Sequence, residues 1–269
     1  MPNQTLRRFA FNRPISFSIL VILVSGLWTE IPFDCFLALW LKSPAPEFCK
    51  VTIGHILTGI ILVGLLVKLG MLKDARFTHP RQWHAVWLVW PFLLFTLLNM
   101  DSLISGSMQI DVSQPEMIVL FVVLNLLLKK WGDTRRKIYQ SVLFSTLLFG
   151  TGHIFNLFTG HLPPLANLTQ ISYSTAFGVV FAFCFLRNNS IWPVVIRHAA
   201  VDFAGGLRHI SVGGASMVPV ANNSLEAALF SLLISVPLLL YGLFILRKVK
   251  PSEGESHISM LPIWNRSGV

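Results

Sequence analysis

The sequence predicts an all-α fold, a polytopic transmembrane helical bundle of about eight helices. Three observations carry this. The chain of 269 residues is 54% hydrophobic and only 12% charged, with a mean hydropathy of +0.66, whereas soluble domains hold about a quarter charged residues. Apolar runs long enough to cross a bilayer recur along the chain. When eight helices are drawn through those runs, the basic residues fall on one side. Sixteen Lys and Arg lie in the amino-terminal segment, the loops after the second, fourth and sixth helices, and the stretch after the eighth. The opposite loops hold three, Lys42, Lys50 and Arg208. The positive-inside rule then puts both termini in the cytoplasm. It also accounts for the net charge of +9 without a nucleic-acid partner. The sequence has no Gly-rich phosphate loop and no soluble domain to receive a nucleic acid.

Each element has its own reason. Residues 1–13 are polar and basic, with Arg7, Arg8 and Arg13. The apolar stretch that follows carries no small-residue cleavage site, so it is a membrane helix rather than a signal peptide. It reads as one long or broken helix over 15–42, with the break at Pro32. A second helix is expected over 51–71 and a third over 84–104, where Trp87 and Trp90 fit an interfacial belt. The fourth apolar run, 117–128, is short, so Pro115 is expected to start its helix. The fifth, sixth, seventh and eighth helices are expected over 138–158, 168–186, 190–206 and 225–246, with TGHLPPLAN a loop between the fifth and sixth. This makes residues 1–250 one transmembrane domain and 251–269 a polar tail. Cys184 lies in an apolar run and reads as a small buried hydrophobe. Cys35 and Cys49 could pair only if both faced an oxidising side.

Two apolar runs carry ionisable residues, which are costly in a membrane and so face the protein interior and mark function. The fifth helix holds His153, with Phe149 one turn before it on the same face and Asn156 near one turn beyond. Gly150 and Gly152 would let another backbone come close there. The seventh holds Arg197, His198 and Asp202, and the four-residue spacing puts His198 and Asp202 on one face. Such a pair fits a base held by its orienting acid, or a clamp on a reacting oxygen. Glu116, in the first turn of the fourth helix, is the only carboxylate between 112 and 132. A carboxylate and two histidines could activate a water for hydrolysis or hold a metal such as zinc, and spacing alone leaves both open. His55 reads as a packing histidine. At 1.5 Å per residue, His153 lies roughly 22 Å from the cytoplasmic end of its helix, which puts the site in the outer half of the membrane.

FGTGH at 149–153 and HAAVD at 198–202 match, in order, the second and third motifs (FxxxH, then HxxxN or HxxxD) of the CPBP intramembrane proteases. With their flanks, the chain over about 115–206 resembles this Abi or CAAX-protease family, and reads most like its bacterial members. The family's first motif, EExxxR, is incomplete. Pro115 stands where the first Glu is expected, Glu116 is the second, and Leu120 takes the place of the Arg. The resemblance implies an intramembrane endopeptidase acting on membrane-bound peptides or protein tails within the bilayer, with no cofactor required. Glu116, His153, His198 and Asp202 would be catalytic, and Phe149, Asn156 and Arg197 would support them. Glu116 would have to rotate about 100° around its helix or shift part of a turn to replace the missing carboxylate; Glu30 or Asp101 could instead reach in. Arg197 is expected to stand in for the missing arginine and pair with Glu116. Two other readings follow from the same residues. One is a non-catalytic relative acting as a binding or bacteriocin-immunity protein. The other is a small proton-coupled transporter, which the lack of an internal repeat disfavours.

Overall fold

The computed structural model describes residues 4–29, 47–72, 77, 115–132, 134–158, 163–188, 190–196, 198 and 225–250. Every regular element among them is helical. In chain order these are α1 (Gln4–Asn12), α2 (Pro14–Thr29), α3 (Glu47–Leu69), α4 (Pro115–Trp131) and α5 (Arg135–Thr151). A single 3-10 turn (Gly152–Ile154) leads to the short α6 (Phe155–Phe158), and then come α7 (Pro164–Asn188) and α8 (Leu225–Leu246). Residues 192–196 and 198 are also helical. The protein is an all-α membrane bundle. The third expected helix, the Pro32 break, Glu30, Asp101, Cys35 of the Cys35 and Cys49 pair, the second half of the seventh helix and the tail lie outside the described residues.

Arg135–Phe158 and Pro164–Asn188 are each long and apolar enough to cross a membrane. At 1.5 Å per residue they reach about 36 Å, against a hydrocarbon core of about 30 Å. Large apolar side chains face outward in stripes, Ile19, Leu23 and Leu27 on α2 and Leu225, Leu229, Leu233, Val236 and Leu240 on α8. The four-residue spacing gives each helix one lipid-facing side. In such a fold helices associate through close packing and satisfied polar groups rather than through escape from water.

Helix α4 is the centre. From Val119 to Leu128 every residue is buried, as expected of a helix that is apolar on all sides. Its Leu120, Phe121, Leu124 and Leu128 pack with α5, α7 and α8. Its Val119, Val122, Val123, Leu126 and Leu127 pack with the first three helices. Pro115 does open this helix, because its missing N–H is an orphan donor at that position anyway.

The polar and basic amino-terminal segment is also helical. Residues 4–12 form α1, which meets α2 at 112° across Arg13. Leu6, Phe9 and Phe11 pack on the core beside the buried Ala10, while Arg8 is exposed. The Phe11 ring lies under both the Arg7 guanidinium and the Lys129 ammonium, at 5.6 and 5.8 Å, which docks α1 onto the basic end of α4. The apolar face is short and interrupted by arginines, so it leaves little trace in hydropathy. Within the described residues the first apolar helix bends at its proline start.

Helices α5 and α7 run antiparallel and touch at glycine. A Cβ on Gly150 would overlap Thr175 Oγ1 and stand 2.7 Å from the Ile171 carbonyl oxygen. One on Gly178 would stand 2.9 Å from Thr146 Cβ. Gly152 makes no such approach, since its nearest neighbour would be Ile22 Cγ2 at 3.7 Å. The hydroxyls of Ser145, Thr146 and Thr151 donate to carbonyls three residues earlier on α5. This satisfies polar groups that have no water to turn to.

Candidate active site

Phe149 points from the last turn of α5 into the core and is 5% exposed. The His153 ring meets it edge-on with centroids 5.9 Å apart. The His198 ring meets the same phenyl edge-on at 6.3 Å. Phe181 of α7 closes the other side of His198 at 5.5 Å. Two histidines from separate membrane segments therefore border one buried ring. Both are half-buried, and His198 Nδ1 is shielded from solvent. The aromatic wall continues along one face of α7. Tyr173, Phe177 and Phe181 are in ring contact at four-residue intervals, and Phe185 follows one turn on.

Helix α4 joins the aromatic wall further along α7. Phe121 stacks on Phe185 with centroids 4.4 Å apart. Both helices run antiparallel to α5. Counting back from the stack, Glu116 lies five residues and roughly 7–8 Å nearer the start of α4. Phe181, which touches His198, lies four residues and about 6 Å nearer the start of α7.

Around His153 the expected continuous helix is not what forms. The residues Gly152–Ile154 tighten into a 3-10 turn before α6 resumes. Two low-propensity glycines frame this change of pitch. The turn is tied to α7 at two points. Asn167 Nδ2 donates to the His153 carbonyl oxygen at 2.7 Å, and Asn156 Nδ2 donates to Gln170 Oε1 at 2.8 Å. Sequence reasoning placed Asn167 in a loop and gave Gln170 no role. The helix in fact begins at Pro164, a residue suited to a first helical turn. Asn167 and Gln170 then share a face at a three-residue spacing. The signal was present in that proline.

Of the residues expected at the site, the fold brings together Phe149, His153 and His198. It turns Asn156 toward Gln170 and sets Glu116 at the start of α4. Arg197 and Asp202 lie outside the described residues. No group of three His, Cys, Asp or Glu side chains positioned for a metal occurs among the described residues.

A sequence model of the Rce1-like type II CAAX prenyl endopeptidases matches residues 11–204. The chain belongs to this family. The match takes in α2, α4, α5, α7 and both histidine motifs, and it extends the resemblance read from 115–206 to the amino-terminal helices. No curated protein and no solved structure matches the chain. Membership of this CAAX-protease family and the apolar helices together make the protein an integral membrane member of a peptidase family.

Proposed function

We propose that this Rce1-like protein is an intramembrane endopeptidase that hydrolyses peptide bonds in membrane-associated peptides or protein tails. The observation that carries the reading is the shared Phe149 ring, against which His153 and His198 both lie. Glu116 is the general base. Its carboxylate takes a proton from a water held by the histidines, and the water oxygen bonds to the scissile carbonyl carbon. Negative charge moves to the carbonyl oxygen, which His198 stabilises as a hydrogen-bond donor while Asp202 orients His198. Collapse breaks the C–N bond, and the proton from Glu116 passes to the leaving amine. Arg197 balances Glu116 within the bilayer, where an isolated charge is costly. Both termini lie in the cytoplasm of a bacterial cell, and the site opens toward the outer half of the membrane.

A divalent cation such as zinc on the histidines and a carboxylate is the alternative way to activate the water. Chelation followed by dialysis separates the two. Activity that survives supports the carboxylate route, and activity lost and restored by zinc overturns it. The substitution of Pro115 and Leu120 into the first motif favours a second reading, a binding or immunity protein with the family fold and no cleavage. Purified protein in liposomes with a membrane-anchored peptide decides between them. The proposal expects cleavage that Glu116→Gln removes. No cleavage of a panel of anchored peptides by well-folded protein would favour the second reading.

A further inference from the structure

The geometry points to Asn167 and Gln170 of α7 as positioning residues that clamp the 3-10 turn carrying His153 and so set the angle of its imidazole. The inference rests on the reading of His153 as a water-holding residue, and it goes beyond that reading by assigning a role to two amides outside the motifs. Where a helix tightens from an α to a 3-10 pitch, a carbonyl exchanges its partner four residues on for a nearer one with poorer hydrogen-bond geometry. In a membrane interior such a carbonyl, here already taking the Phe155 N–H, gains from a second donor. The Asn167 amide adds a donor from a second helix to the His153 carbonyl, at 2.7 Å, and Asn167 is 2% exposed. The second tie lies three residues beyond His153, where Asn156 donates to Gln170 at 2.8 Å.

The two ties act on both sides of one rotation. An α-helix advances 100° per residue and a 3-10 helix 120°. A turn of three residues that relaxed to the α pitch would therefore swing His153 and everything after it around the axis. Phe149 precedes the turn on regular α5 and would stay, so the His153 ring would leave its edge contact. Holding the turn from α7 is efficient because α7 is already locked against α5 at Gly150 and Gly178. The amides thus transfer the rigidity of a close helix crossing to one imidazole. A catalytic group displaced by about 1 Å can cost on the order of 10²-fold in rate.

The test uses full-length protein in nanodiscs, labelled at histidine Cε1, with resonances assigned from His153→Gln and His198→Gln. Asn167→Leu removes the donor at nearly constant volume, Gln170→Leu removes the second tie, and Asn167→Gln restores an amide. The expected result is a displaced His153 resonance and titration midpoint in both leucine variants, with His198 moved less and with recovery in Asn167→Gln. In the cleavage assay, kcat falls about tenfold or more while KM stays within about twofold. Unchanged His153 resonances in folded leucine variants would overturn the clamp. So would a loss of thermal stability alone, with resonance and kcat intact. If wild-type protein cleaves nothing, the peptidase reading fails, and the resonance arm still decides the clamp.

Discussion

Around His153 the chain gathers an aromatic ring, two glycines, a 3-10 turn and two amides from α7. Around Glu116 it supplies a proline, one carboxylate and then a run of buried residues that is apolar but for Asn125. The first region is over-determined, because ring contacts, backbone approach and hydrogen bonds all constrain the same few residues. The second is set chiefly by helix packing, through the Phe121–Phe185 stack and the apolar burial of α4 on two sides. The contrast teaches where tolerance to change should lie. On the histidine side a small change disturbs several constraints together. On the carboxylate side the fold should survive most changes at the helix start, and only the chemistry should suffer.

The largest expected effect is on turnover. His153→Ala and His198→Ala should each lower kcat/KM about 10³-fold, within the range for losing a positioned acid–base group, in an assay on an anchored peptide with the fold verified by circular dichroism. An effect under tenfold at both would remove the histidines from the site. Next is the helix crossing. Gly150→Leu should destabilise the protein by about 1–3 kcal/mol or more, read as a lowered thermal midpoint in detergent, because Thr175 and the Ile171 carbonyl leave no room. An unchanged midpoint would mean that α5 and α7 do not approach there. Phe149→Leu should keep the fold yet cost about tenfold in kcat, because both histidines lose the ring they share. A smaller effect belongs to the far end of α5. There the Tyr139 hydroxyl donates to the Leu243 carbonyl at 3.2 Å, so Tyr139→Phe should cost about 1 kcal/mol and leave cleavage unchanged. A loss of cleavage equal to that of Phe149→Leu would abolish the distinction between the two ends.

The spacing of FGTGH and HAAVD was enough to name the family and both histidines, because those residues are expensive in a membrane and stand out against apolar sequence. Pro115 marked the start of α4 for a simple reason, since proline tolerates that position and few others in a helix. The 3-10 turn was not legible, since FGTGHIFN reads as a continuous apolar helix until α7 is packed against it. Asn167 was passed over because the two prolines before it suggested a loop, although the second begins a helix, and Gln170 was read as an ordinary helix residue. Helix α1 was hidden by its arginines, which lower its hydropathy while its Leu6, Phe9 and Phe11 pack inward. What the sequence lacked in each case was the neighbouring element whose contacts decide the local conformation.

The central claim is that one carboxylate and two histidines at the end of this bundle hydrolyse peptide bonds although the first motif is incomplete. The most direct measurement is the single-turnover cleavage of a fluorogenic anchored peptide by wild-type protein and by Glu116→Gln in the same liposomes. The account predicts cleavage by the wild type and a loss of about 10³-fold or more in the variant, with equal thermal stability. Equal rates in the two proteins would contradict it.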